Sequence, residues 1–337
     1  MATKYGYMIY VFRAHPYRSP DEAAVLGQLG GRGEQDALTV LYGALQAMTA
    51  RRISEKSKHI QARTVEGVGR TIRFSVSVGQ SGQSSEFFGP TDSVPVFTRL
   101  DEHIETNVRR GLVVVPSRAT VGLLALEVHG RSGAKALLVP ILARLFRRHT
   151  GLVLDVDAVA DEAALQKFIA EAQAHEITLR RTGLPRDIAD AVEMNAEQAP
   201  AGKLELKITP GRLKHFQQAL IGRLRGDDPT RSALLQMHGL QFDELSVGME
   251  VGERRTTLTV TADSAPTFIY DIRTQEIPDE QRFYDEVVGS VREMAPAVGV
   301  NVTPGWDNEK WSDDAHQFRL NLLPEESDDD AEPDTTQ

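Results

Sequence analysis

Two hydrophobic periods run along this chain. Alternation with period two predicts strands at Tyr5–Phe12, which is aromatic and β-branched and stops before His15-Pro16, and at Thr71–Val78, where Ile72, Phe74, Val76 and Val78 share one face. Short apolar runs at Leu112–Val115 and Val121–Val128, joined by Pro116–Thr120, predict a hairpin. Further strands are expected at Leu152–Val156, Glu176–Arg181, Lys203–Ile208 and Gln317–Leu323, and a meander at Leu245–Val251, Arg255–Ala262 and Thr267–Arg273.

Helical spacing is clearest in Gln35–Ala50, with Leu38, Leu41, Leu45 and Met48 on one face. It recurs in Lys135–His149, where Leu137, Leu138, Ile141, Leu142, Leu145 and Phe146 form a wide apolar face and Gly151 follows as the stop. Helices are also expected from Ser19-Pro20-Asp21 onward and at Thr98–Arg110, Asp161–His175, Arg186–Met194, Pro210–Arg225 and Asp279–Met294.

Together these elements predict an α+β protein. A sheet-rich globular domain is built from residues 1–130 and 231–323, with a more helical α/β segment, 131–230, inserted as a dimerisation domain. Residues 324–337 are acidic and poor in apolar side chains, and are expected to be a disordered tail. No stretch approaches the roughly 18 apolar residues of a membrane span, and the apolar run near the N-terminus is too short for a secretory signal. A cytoplasmic location is the expectation. The absence of cysteine excludes disulfides and thiolate metal sites.

The net charge of −10 is unevenly distributed. Residues 1–225 hold 30 Lys+Arg against 23 Asp+Glu, whereas residues 226–337 hold 8 against 25, seven of those acids lying in Glu325–Asp334. A phosphate backbone feels local field rather than net charge. Three basic groups stand out: Arg51, Arg52, Lys56 and Lys58, with His59, Arg63, Arg70 and Arg73 following; Arg144, Arg147 and Arg148; and Lys203, Lys207, Arg212, Lys214, Arg223 and Arg225. Each alone is compatible with a solvated face. As a set they point to a sequence-independent contact with double-stranded DNA, which needs only cations along a groove. No helix-turn-helix, homeodomain or zinc-finger pattern supports base reading.

Catalytic patterns are incomplete. His129–Lys135 lies between a strand and a helix, where a phosphate loop belongs, but its glycines are too closely spaced and Ala134 separates Gly133 from Lys135. Asp187, Glu205 and Lys207 mimic a Mg-dependent nuclease core, which needs converging carboxylates and a lysine. Asp155 and Asp157 could bind a cation but more commonly cap a helix. The nine histidines show no zinc spacing, and Gly79-Gln80-Ser81-Gly82 is one residue short of a nucleophile elbow. Trp306 and Trp311 are expected at the core edge. Neither an enzymatic activity nor a cofactor or metal is expected.

The order of these features resembles the phage lambda RexA-like exclusion (abortive infection) protein family. The residues that carry the resemblance are Phe88-Gly89-Pro90-Thr91, then Gly111–Val115 with Pro116, then the strand Val121–His129 ending in Gly130-Arg131. The resemblance implies a homodimer that binds DNA without sequence preference, senses phage infection and mediates phage exclusion with a multi-span membrane partner encoded nearby. The long acidic tail and lower overall charge depart from that pattern. A Mg-dependent nuclease of a phage-defence system and a non-catalytic phage adaptor protein are the alternatives.

Overall fold

The computed structural model describes residues 5–30, 36–91, 93–130, 132–158, 173–183, 202–210, 216, 235–237, 240–251, 254–261, 267–272, 274, 276–311 and 318–320. Its strands are β1 (Tyr5–His15), β2 (Ile53–Glu55), β3 (Lys58–Val68), β4 (Thr71–Gln80), β5 (Ser85–Phe87), β6 (Phe97–Arg99), β7 (Glu105–Val114), β8 (Gly122–His129) and β9 (Ser132–Gly133). They continue as β10 (Val153–Ala158), β11 (Gln173–Thr182), β12 (Lys203–Ile208), β13 (Gln236–Met237), β14 (Leu240–Gln241), β15 (Glu244–Val251), β16 (Arg254–Thr261) and β17 (Thr267–Ile272). The helices are α1 (Ala37–Ala50), α2 (Lys135–Thr150) and α3 (Glu280–Met294).

Thirteen strands form one antiparallel sheet, in the order β12-β11-β15-β16-β17-β1-β8-β7-β4-β3-β2, with β10 beside β1 and β9 beside β8. β1 organises it. One of its edges pairs with β8 from Tyr5 to Phe12; the other is shared by β17, on Tyr5–Tyr7, and β10, on Tyr10–His15.

Alternating side chains give the sheet two apolar faces. Tyr10, Phe12, Phe74, Val76, Val113, Leu124 and Leu126 pack under α1 and α2. On the opposite face Tyr7, Ile9, Leu112, Val114, Leu123 and Ala125 meet Phe283, Val287 and Val291 of α3. A third cluster joins Leu179, Val247 and Leu258 with Leu235 and Phe242 at the β11–β16 end. The protein is therefore a sheet-rich α+β fold with helices on both faces. Among the described residues no helix is long and apolar enough to cross a membrane.

Two aspartates cap helix N-termini, and Gly151 acts as the expected stop. Asp36 accepts from the Leu38 amide, and Asp279 from the Arg282 amide. Gly151, at φ 78°, ends α2 with its amide on the Arg147 carbonyl.

Four expected elements are corrected. Thr98–Arg110 is not a helix: Phe97–Arg99 is β6, and Glu105 onward is β7, paired with β4 along its whole length from Gln80↔Glu105 to Thr71↔Val114. Pairing with a neighbour distant in sequence overrides a local amphipathic pattern. The stretch from Ser19 is a pair of turns, Ser19 amide to Pro16 carbonyl and Glu22 amide to Ser19 carbonyl. The chain is then drawn back by Ala24 amide to Ala14 carbonyl, which leaves no run of helical bonds. Gln173–His175, expected to close a helix, opens β11.

Phe318–Leu320 is not strand; the Leu320 amide bonds the Gly43 carbonyl of α1. The remainder of Gln317–Leu323, the helices expected at Arg186–Met194 and over most of Pro210–Arg225, residues 161–172, and the tail 324–337 lie outside the described residues.

The described parts of 131–230 share the main sheet and core. β10 pairs β1, β11 pairs β15, and the apolar face of α2 (Leu138, Ile141, Leu142, Leu145, Phe146) is buried in the same cluster as α1. That face, expected at a two-fold contact, is occupied within the chain.

Candidate nucleic-acid interface

The first basic group is formed where α1 hands over to the β2–β3 hairpin. Arg51 is the C-cap of α1, and Arg52 leads into β2. Glu55↔Lys58 closes the hairpin around the two-residue turn Lys56-Ser57. Lys56 has φ 56°, a left-handed conformation strained for a side-chain-bearing residue. Arg51, Arg52, Lys56 and Lys58 are all exposed, and Arg52, Lys56 and Lys58 have no ion pair among the described residues. Lys56 and Lys58 thus flank the hairpin turn, and Arg51 and Arg52 stand where the chain enters β2, with a single carboxylate, Glu55, among them.

The second group lies elsewhere. Arg147 stacks 4.6 Å over the Tyr17 ring, and Arg144 and Arg148 share the last turns of α2, where cations offset the helix dipole. α2 starts after β9, beside the Tyr5–His129 end of the sheet, and finishes at Tyr17, beyond the His15 end of β1. The Lys58↔Gln80↔Glu105 register puts the β2–β3 tip at the opposite end from Thr71↔Val114. The first two groups therefore sit at opposite ends of the strands.

Lys203 and Lys207 belong to β12, the edge of the sheet farthest from β2, and Lys207 is 2.7 Å from Glu176. Arg212, Lys214, Arg223 and Arg225 lie outside the described residues. The single groove expected from sequence is thus not assembled by the described residues: the β2–β3 hairpin and the α2 end form separate exposed cationic surfaces.

The other candidates resolve into structural roles. Glu205, expected in a nuclease core, accepts from Arg180 Nε at 2.7 Å, and the same guanidinium bonds Glu244 at 2.8 Å. Asp187 lies outside the described residues. Asp155 bonds His15 Nε2 at 2.8 Å across β1 and β10, and among the described residues no group of three acidic or histidine side chains could hold a metal.

The His129–Lys135 segment, which lacks phosphate-loop spacing, folds back as the β8–β9 hairpin. Arg109, buried on β7, bonds the Val108 carbonyl at 2.8 Å and the Ser132 carbonyl and hydroxyl at 3.3 and 3.4 Å. Burial lowers its pKa, against the opposing charge of Glu127. Trp306 is buried under α3, and Trp311 donates to the Gly69 carbonyl at 2.7 Å, both at the core as expected.

Three clusters carry no sequence motif. Glu127, buried on β8, accepts from the Arg110 backbone and side chain and contacts His129 Nε2 at 3.0 Å. Burial, the largest single influence, pushes its carboxyl up, but the bonds from His129 and Arg110 outweigh it and hold the group at about 2. His59 bridges the Ser54 and Ser81 hydroxyls at 2.8 and 2.9 Å and clips the β2–β3 hairpin to the end of β4.

The third cluster is the β5–β6 hairpin, whose apolar side chains face solvent. Its signal was in the sequence, as Phe87-Phe88 and Val94-Pro95-Val96-Phe97 between turn residues. No family model matches this chain, and no curated protein matches it.

Proposed function

We propose that this protein binds DNA without reading its sequence, through the tip formed by Arg51, Arg52, Lys56 and Lys58. The observation that carries this reading is the exposure of four cations on the β2–β3 hairpin and the helix end that leads into it, three of them with no carboxylate partner among the described residues. Such a surface supplies the exposed cations that a sequence-independent phosphate contact needs. The phage-exclusion role, the homodimer and the membrane partner rest on the family resemblance alone and add no residue to the site. A nuclease reading gains nothing from Glu205, whose carboxylate is engaged by Arg180.

The test is a salt titration on duplexes of unrelated sequence. Each phosphate contact contributes about −0.9 to the slope of log K against log salt. A triple variant, Arg52→Gln, Lys56→Gly and Lys58→Gln, should flatten that slope by roughly 2 to 3 and weaken binding equally on every duplex. Lys56→Gly also relieves the left-handed turn, so lost binding cannot be ascribed to a damaged fold. An unchanged slope would remove the tip from the interface.

A further inference from the structure

The β5–β6 hairpin leaves the sheet between β4 and β7 and holds a row of rings in solvent. Phe87 and Phe97 face each other in register across the two strands, with ring centres 5.9 Å apart. His103 extends the row, 5.7 Å from Phe97 and inclined 25° to it, and its Nδ1 accepts from the Leu100 amide at 3.0 Å. Phe87, Phe88 and Phe97 are 47% to 52% exposed, and Val94, Val96 and Leu100 are exposed as well. The row is held firmly. The Val96 amide bonds the Phe87 carbonyl, and Arg99, buried at the hairpin base, reaches Glu105 at 2.6 Å and the Gln80 carbonyl at 3.0 Å. Apolar side chains fixed in water on one short hairpin mark a binding surface, and rings already held in place cost little further ordering when a planar group stacks on them.

The cationic tip is the hairpin's neighbour. Gln80 pairs with Lys58 in the β3–β4 register and takes Arg99 on its carbonyl, and the Ser81 amide bonds the carbonyl of Ser57, in the β2–β3 turn, at 2.9 Å. Cations for phosphates and rings for bases therefore lie side by side. The acidic residues decide which form of DNA fits. Glu105 is engaged by Arg99, and Glu86, paired with Thr98, lies on the other strand face from Phe87 and Phe97. Asp101 and Glu102, exposed in the turn after β6, repel phosphate. A duplex brings two phosphate rows and keeps its bases stacked inside. A single strand brings one phosphate row, which the tip can take, and its bases are uncharged and free to stack.

We infer that the β5–β6 hairpin binds the unpaired bases of single-stranded DNA while the β2–β3 tip holds the phosphates, so that the site prefers a single strand to a duplex. The inference rests on the DNA reading above and names the form of DNA that the same site takes. Every base has a π-face, so the preference carries no sequence requirement.

Fluorescence anisotropy of the full chain, with a labelled oligothymidine and with a mixed-sequence duplex of equal length at matched salt, should show tighter binding of the single strand. Phe87→Leu with Phe97→Leu keeps the surface apolar but removes two ring faces. It should weaken oligothymidine binding roughly tenfold and leave duplex affinity and both salt slopes unchanged, because the phosphate contacts remain. The thermal melt should not move, because both side chains are exposed. A duplex bound at least as tightly as the single strand overturns the inference, as does oligothymidine affinity that the leucine variant leaves intact; in either case the tip still stands as a DNA contact. If neither form binds, the DNA reading itself falls and this inference with it. Pelleting with anionic vesicles that the leucine variant abolishes, alongside unchanged oligothymidine binding, overturns it in favour of a lipid surface.

Discussion

Arg110 and Glu127 form a two-pronged ion pair between β7 and β8, with Nε and Nη2 of the guanidinium on the two carboxylate oxygens at 2.9 and 2.5 Å, and the Arg110 amide adds a third bond at 2.9 Å. The pair sits where β7 parts from β8: their ladder ends at Gly111↔Leu126, and β9 takes the vacated edge at Val128↔Gly133. Phe283 of α3 covers the guanidinium, 4.8 Å from its ring centre.

Glu127 should make the fold sensitive to acid. Its carboxyl is lowered from 4.5 to about 2 in the folded state, so its contribution is complete above about pH 4.5 and is lost as pH falls toward about 2. The shift corresponds to a loss on the order of 3 kcal/mol across that window. Denaturant titrations at stepped pH should show this decline in the wild type and a flatter profile in Glu127→Gln. That variant should already be less stable by about 3 kcal/mol at neutral pH, because Arg110 keeps a buried charge without its partner.

His15 should act in the opposite sense. Nδ1 lies 2.8 Å from the Pro16 carbonyl and Nε2 2.8 Å from Asp155, so both ring nitrogens face acceptors and the imidazolium is favoured. The Pro16 carbonyl first, then Asp155, raise its pKa against the opposing effect of burial. The stabilisation is fully present below the unfolded value of about 6.5 and is lost as pH rises through the higher folded value. Titrating the His15 ring by NMR should give a midpoint above 6.5 that moves down in Asp155→Asn; a midpoint at or below 6.5 in the wild type would refute the assignment.

Gly111 sits where no side chain fits. A Cβ there would fall 2.2 Å from the Phe74 ring, and Phe74 is fully buried opposite it on β4. Gly111→Ala should cost about 1–3 kcal/mol in chemical unfolding, and Phe74→Leu in the same chain should recover part of that cost. Additive losses in the double variant would show that the two positions do not share the space.

The acidic tail should restrain DNA binding. Its seven carboxylates, within Glu325–Asp334, are opposite in charge to the cationic tip and would compete with phosphate there. Deleting residues 324–337 should tighten DNA binding at low salt and matter less at high salt. Equal affinity of both forms across the series would exclude the tail from any such role.

The sequence by itself determined the elements whose information is local. β4, β12, the β15–β17 meander, α1, α2 and α3 follow from residues one turn or one pleat apart, as do the Asp36 and Asp279 caps and the Gly151 stop. The cationic tip was equally legible, because Arg51, Arg52, Lys56 and Lys58 are neighbours in sequence.

Only the tertiary structure decided what depends on partners far along the chain. Tyr7↔Tyr270 closes the sheet across the chain's two ends, and β4 holds Glu105–Arg110 as strand against its amphipathic pattern. The α2 face is turned inward onto α1, while Phe87 and Phe97 are left outside. The described members of the three basic groups, alike on paper, are separated because β2 and β12, which carries Lys203 and Lys207, end the sheet at opposite edges and α2 carries its arginines to the far end of the strands. Periodicity reports which face of an element is apolar; which surface covers that face, and whether any does, is set by pairings that no local window contains.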